Sequence, residues 1–384
     1  MKLEGEIHAW HFAARKPVHV RFADGLISHI EFVSSLPPNG QWFAPGLFDL
    51  QINGYAGVDF QQDDLSVDSL LIAARGLRRA GCTRFLLTLI TDDWPRLMYR
   101  LQHVRSVRAR SPELQAAIAG WHIEGPFLSA EPGFAGAHEP GWMRNPTPQH
   151  IRELRAIAGD DPVLVTLSPE REGAIRAIEA AVAAGMNVSL GHTDASADIL
   201  SQAQKAGARG FTHLGNGCPR ALDRHDNVLW RVLETPGLLI SLIPDRIHVS
   251  PPLFRLIHRV LSPESIYYTT DAMSAAGAPP GRYPLGKWQL DVGEDQVVRQ
   301  PGKPLFAGSA LRPIDGVFRA AQMLGCDWQD VWPGWSERPA KLLGFRNELE
   351  VGQPASFCLL QIKDRNELTD LQVWVNGVGP DSSP

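Results

Sequence analysis

Residues 66–88 read SVDSLLIAARGLRRAGCTRFLLT, and this stretch decides the fold. In Ser66–Ala80 the apolar residues recur every three to four positions, as on a helix that packs one face on a sheet. Gly81 follows as a helix cap, and Arg84–Thr88 is an apolar run of strand length. The same unit recurs at Glu170–Ala184 (EREGAIRAIEAAVAA), Gly185 and Asn187–Leu190. Working outward gives eight expected strands: Leu47–Ile52, Arg84–Thr88, Ala117–Ile123, Val163–Leu167, Asn187–Leu190, Gly210–His213, Leu238–Leu242 and Ser265–Thr269. Helical segments fall between most of them, several closed by glycine, as expected at Gly81, Gly185 and Gly210. Eight βα units in about three hundred residues is the arithmetic of a (β/α)8 barrel. A doubly wound sheet is the alternative, but no glycine-rich phosphate loop follows the first strand.

The chain ends differ from this middle. Val18–Val33 holds two short β-prone runs around Asp24-Gly25, and Ala355–Gln361 and Leu371–Val375 have the same character. The expectation is a TIM-like barrel at 45–344 and a small β-sandwich domain built from both termini, residues 1–44 and 345–384.

The 384 residues carry 37 Lys+Arg against 42 Asp+Glu, a formal net charge of −5, and 44% are hydrophobic. These values are globular and give no basic footprint for nucleic acid or an anionic membrane. Cys82, Cys218, Cys326 and Cys358 have no CxxC spacing, so free thiols are expected. No apolar run approaches the ~20 residues of a membrane span, and the N-terminus lacks the pattern of a signal peptide. The cytoplasm is the expected location.

In such a barrel, chemistry sits at the C-terminal ends of the strands. Those ends supply Asp49, Gln51 and Asn53 on the first strand, then His122 and Glu124, His192, His213, and finally Asp271. Glu124 with His192 and His213 offers one carboxylate and two imidazoles, a donor set that leaves an open position on Zn²⁺ or a similar divalent ion. Water on that ion would ionise near neutral pH, with Asp271 beside it as general base and later as acid. His122 points the same way as Glu124, two residues on, and is expected to support it. His8, His11, His19, His29, His103, His150 and His258 lie off the rim and read as ordinary polar residues. Asp49 reads equally well as a buried partner for a backbone turn.

Several runs resemble a known family. Ala44–Gly54 (APGLFDLQING) resembles the first-strand signature of the amidohydrolase superfamily. His122-Ile123-Glu124-Gly125-Pro126, Gly136-Ala137-His138-Glu139-Pro140, Gly191-His192-Thr193, Thr212–Asn216, Thr270-Asp271-Ala272 and Ala307–Ala310 together resemble the N-acetylglucosamine-6-phosphate deacetylases, in the same order from about Ala44 to Gly377. The resemblance implies hydrolysis of the acetamide of N-acetylglucosamine 6-phosphate to glucosamine 6-phosphate and acetate. It implies one divalent ion per subunit on Glu124, His192 and His213, with zinc expected first and iron, cobalt or manganese also accommodated. Asp271 and His138 become the catalytic groups, the latter holding the sugar or polarising the carbonyl. Asn216, Gly217, Arg224 and His248 become substrate contacts, with part of the phosphate shell shared across a homodimer.

The chain departs from the pattern in three places. Gln51-Ile52-Asn53 replaces His-x-His, leaving a vestigial second-metal position and one expected ion. The loop after His213 reads Gly215-Asn216-Gly217-Cys218-Pro219-Arg220, and Arg246 replaces the usual glycine before His248. Arg220, Arg224 and Arg246 could tighten an anion clamp or lie on the surface. Another N-acyl amino sugar, unphosphorylated or of another epimer, is the alternative substrate; a non-catalytic sugar-binding relative is the third reading.

Overall fold

The computed structural model describes residues 4–301 and 306–380. Its central sheet contains Leu47–Ile52, Cys82–Ile90, Ile118–Glu124, Val163–Leu167, Asn187–Leu190, Gly210–Phe211, Leu239–Leu242 and Ile266–Tyr268, paired in chain order. Every pairing is parallel. A parallel bridge from Ile52 to Ala272 closes the barrel, and the Asn53 amide donates to the Ala272 carbonyl at 2.7 Å. Each strand lies where the apolar runs placed it.

Helices cover the outside because their apolar stripes face the strands. Val67–Arg79 buries Leu70, Ala73, Ala74 and Leu77, and the Ser66 hydroxyl caps it by accepting from the Ser69 amide. Gly81 and Gly185 have positive φ, as expected of caps. The third expected cap is corrected: Gly207, not Gly210, follows the helix Ala197–Lys205 in a positive-φ conformation. Gly210 instead opens the sixth strand, where a Cβ would stand 2.8 Å from Ser189 Oγ.

Both termini enter one six-stranded sheet, ordered Glu367–Trp374, Phe357–Lys363, Trp42–Pro45, Gly5–His11, Pro17–Ala23 and Leu26–Phe32. Asp24 and Gly25 both have positive φ, the two-residue turn that matches strand twist in a hairpin. The sheet curls back on itself, with Ile27 N donating to Gln353 O and Ala355 N to Gly25 O. Val18, Val20, Phe22, Phe43 and Phe357 fill the space between its faces. Not foreseen from the sequence is a three-stranded antiparallel sheet after the eighth barrel strand, Gly281–Leu285, Trp288–Val292 and Val298–Arg299.

Asp49 joins the first strand to the eighth. Its carboxylate accepts from Thr270 N at 2.9 Å, Thr270 Oγ1 at 2.7 Å and Gln51 N at 3.1 Å. The buried-partner reading of Asp49 is the one its contacts match.

Candidate metal centre and substrate pocket

Glu124 is the last residue of the third strand, and His192 and His213 lie two residues beyond the fifth and sixth. His192, His213 and Asp271 all have left-handed backbones, with φ of 52°, 33° and 51°. Non-glycine residues rarely adopt this region, so the surrounding structure must enforce it. The sharp turn swings each side chain inward over the barrel mouth.

Glu124, His192 and His213 each present a donor atom within 4.8 Å of the others, and all three are buried. Glu124 Oε1 is 2.9 Å from His213 Nε2 and 3.5 Å from His192 Nε2. His192 Nδ1 lies 2.8 Å from the Phe134 carbonyl, which can only accept, so Nδ1 carries the proton. In the neutral ring, Nε2 then directs a lone pair at a carboxylate oxygen, an opposition that a cation between them relieves. His213 Nδ1 is buried and has no hydrogen-bond partner among the described residues. The donor set and the opposed His192 and Glu124 lone pairs fit a divalent ion.

Burial pushes the Glu124 carboxyl up, but the facing rings of His192 and His213 and the field of His138 hold it well below the usual range. His213 is raised, since Glu124 outweighs its burial. Asp271 is pushed up to about 7, first by burial and then by the Glu124 charge. Asn53 Nδ2 donates to Asp271 Oδ1 at 2.6 Å, and Gln51 Nε2 donates to Glu124 Oε1 at 2.9 Å. The two amides at the His-x-His position thus direct N–H groups at the two carboxylates. His122 Nε2 lies 2.8 Å from Thr166 Oγ1, and burial lowers this imidazole to about 4. It therefore stays neutral in the polar layer beneath the site.

The pocket above has a volume of about 510 Å³. Glu124, His138, His192, His213, Asn216, Gly217, His248 and Asp271 all line it. His138 Nε2 stands 3.8 Å from Glu124 Oε2, and its Nδ1 lies 2.8 Å from Thr91 Oγ1. Gly217 has φ +60°, and a Cβ there would come within 2.8 Å of the His192 ring, so this position holds the imidazole by having no side chain. Asp245 accepts from the backbone amides of Ile247 and His248 and bonds His248 Nδ1 at 2.6 Å. Although burial lowers it, His248 is raised overall by Asp245.

The three arginines separate. Arg220 lines the pocket. Arg224 is exposed, bonds the neighbouring His225 and does not line this chain's own pocket, because the turn Asp223–Asp226 carries it outward. Arg246 bonds Gln322 on the helix Pro313–Leu324, so it too turns away. Sequence reasoning missed Thr91 and Phe306. Thr91 directly follows the second strand, which runs to Ile90 rather than ending at Thr88, so the strand-end rule points to it only once that end is known. Phe306 has no strand to announce it; its ring lies 5.5 Å from His248.

No protein-family model matches the chain. An N-acetylglucosamine-6-phosphate deacetylase of Vibrio furnissii is 29% identical over 98% of this chain and 96% of its own length. The Mus musculus enzyme of that name is 32% identical over 84% of this chain and 80% of its own. Among solved structures, an N-acetyl-D-glucosamine-6-phosphate deacetylase variant of Mycobacterium smegmatis, in complex with N-acetyl-D-glucosamine-6-phosphate, superposes with a TM-score of 0.87. It shares 27% identity, and the match covers 98% of this chain and 99% of that one.

Proposed function

Because the chain belongs to the N-acetylglucosamine-6-phosphate deacetylase family of the amidohydrolase superfamily, we propose that it hydrolyses the acetamide of N-acetylglucosamine 6-phosphate. The products are glucosamine 6-phosphate and acetate. The observation that carries this reading is the buried group Glu124, His192 and His213 in the same pocket as Asp271. An acetamide is a poor electrophile with a poor leaving group, so it needs a polarised carbonyl, an activated water and an acid for the nitrogen. A divalent ion on Glu124, His192 and His213 would supply the first and assist the second.

The chain's own groups supply the rest. Asp271 takes a proton from the attacking water as its oxygen joins the acyl carbon. It returns that proton to the amine nitrogen as the C–N bond breaks. Burial raises this carboxyl above the ordinary range, which favours its taking up the proton that it then gives back. Asn53 orients Asp271, and His138 holds the acetamido group or polarises its carbonyl. His248, Asn216 and the Gly217 backbone receive the phosphate, a cationic imidazole being the natural partner of a dianion.

Gln51 and Asn53 act as amide donors, which supports a single ion, and we take zinc as its identity. A homodimer in which Arg224 reaches the partner's pocket accounts for an exposed arginine in a loop that otherwise lines this one. Two units, 1–44 with 345–384 and 45–344, are supported by the separate apolar cluster in the terminal sheet. Among the described residues no helix is long and apolar enough to cross a membrane, and all four thiols are free. Free thiols suit the cytoplasm as the proposed location.

The test is acetate release from N-acetylglucosamine 6-phosphate before and after chelation and on return of Zn²⁺. Loss and recovery together support the reading. Full turnover in chelated, metal-free protein would overturn it.

A further inference from the structure

We propose that the tip of the hairpin Gly281–Val292 is a clasp that positions His138, with Trp288 and Lys287 as its working residues. This rests on the reading of His138 as a substrate contact. His138 lies in a loop, without a strand to fix it, in contrast to Glu124 at a strand end. The residues on either side of it in the chain are each held by the hairpin. Trp288 Nε1 donates to the Ala137 carbonyl at 3.0 Å. Lys287 Nζ pairs with Glu139 Oε2 and lies 5.1 Å and 4.8 Å from the ring centroids of Trp142 and Trp288. An ammonium between two indoles and a carboxylate is held by cation–π attraction as well as by its ion pair.

The clasp is itself anchored to the barrel. Leu285 pairs with Trp288 across a two-residue turn, Gly286-Lys287, whose first residue has φ +54°. The Gly286 amide donates to Asp59 Oδ2 at 2.9 Å, and Asp59 is buried just beyond the first strand. Beneath the loop, Leu285 and Leu290 pack with Met273 and Ala307, while Ala137 and Trp288 lie against the same cluster. On its other side His138 is tied by Nδ1 to Thr91. The imidazole is thus fixed between the second barrel strand and an element inserted after the eighth. Because the hairpin tip holds Ala137 and Glu139, on either side of His138, and is anchored at Asp59, its loss should disturb His138 first and spare the metal.

The experiment uses the full-length, metal-loaded protein carrying Trp288→Phe, which keeps an aromatic ring and removes the donor, with Lys287→Met, which keeps an unbranched stem and removes the charge. Expected is a fall in kcat of about tenfold with KM within about twofold. Metal stoichiometry should be unchanged, and Lys287→Arg in place of Lys287→Met should restore part of the loss. In a His138→Ala background the same pair should cost nothing further. Amide hydrogen exchange in residues 133–142 should quicken. Unchanged kcat and exchange would overturn the proposal, as would an equal loss in both backgrounds. If His138→Ala alone turns over normally, the role given to His138 fails as well. If that variant is impaired while the clasp variant is not, the clasp alone fails.

Discussion

The two sides of the pocket are built differently. On one, Glu124, His192, His213 and Asp271 stand at or just past strand ends, in a shell where Gln51, Phe134 and Asn53 fix the side chains. On the other, Asn216, Gly217, Arg220 and His248 stand on two connecting loops, and Asn216, Gly217 and Arg220 are partly or fully exposed. A closed barrel cannot shift one strand end without its neighbours, so the first side tolerates few arrangements. Loops can change sequence without moving the barrel, which is where a family varies what it reads. The first side should therefore govern turnover and the second binding.

Asp271→Asn would sharpen the contrast most. It keeps the shape and the bond to Asn53 in reach but removes the base, so kcat should fall by about a thousandfold or more with the metal retained. Near-normal turnover would remove Asp271 from its role. Next in size, His213→Ala should empty the metal site as read by elemental analysis. Gly217→Ala should weaken it through strain of about 1–3 kcal/mol at a positive φ and the contact with His192. Full metal occupancy in His213→Ala would break the assignment of the strand-end side, and full occupancy in Gly217→Ala would break the link from the loop side to His192.

The binding side calls for smaller effects. Arg224→Ala should raise KM for the phosphorylated sugar about tenfold, leave kcat unchanged, and do so only if size-exclusion chromatography shows a dimer. A change in kcat, or an active monomer with normal KM, would break the shared-pocket proposal. The smallest effect is in pH. His248 is raised by Asp245, so it stays charged to higher pH than an ordinary imidazole, and KM should climb as pH rises through that raised value. Asp245→Asn withdraws the raising charge and should move the climb to lower pH. A KM independent of pH through this range would remove His248 from the phosphate contacts.

The barrel was legible because its strands are short apolar runs and its helices, such as Val67–Arg79, carry a regular apolar stripe. Glu124, His192, His213 and Asp271 were legible because polar residues at successive strand ends have no packing reason to be there. The left-handed backbones of His192, His213 and Asp271 were not, since nothing in a His or Asp announces positive φ. Arg224 and Arg246 were unreadable for a related reason. An arginine in a loop can face either way, and the turns at Asp223 and Asp245 decide it. The hairpin Gly281–Val292 escaped notice because only Trp288–Val292 alternates, while Gly281–Leu285 carries Pro284 and has no regular apolar face.

The most direct measurement is kcat/KM for acetate release from N-acetylglucosamine 6-phosphate and from N-acetylglucosamine, side by side, on zinc-loaded protein. The account predicts a preference for the phosphorylated sugar of about a hundredfold, carried mainly by KM, as a few charge-assisted contacts on the loop side would give. Comparable or reversed values would contradict it: the loops would then read a different N-acyl compound.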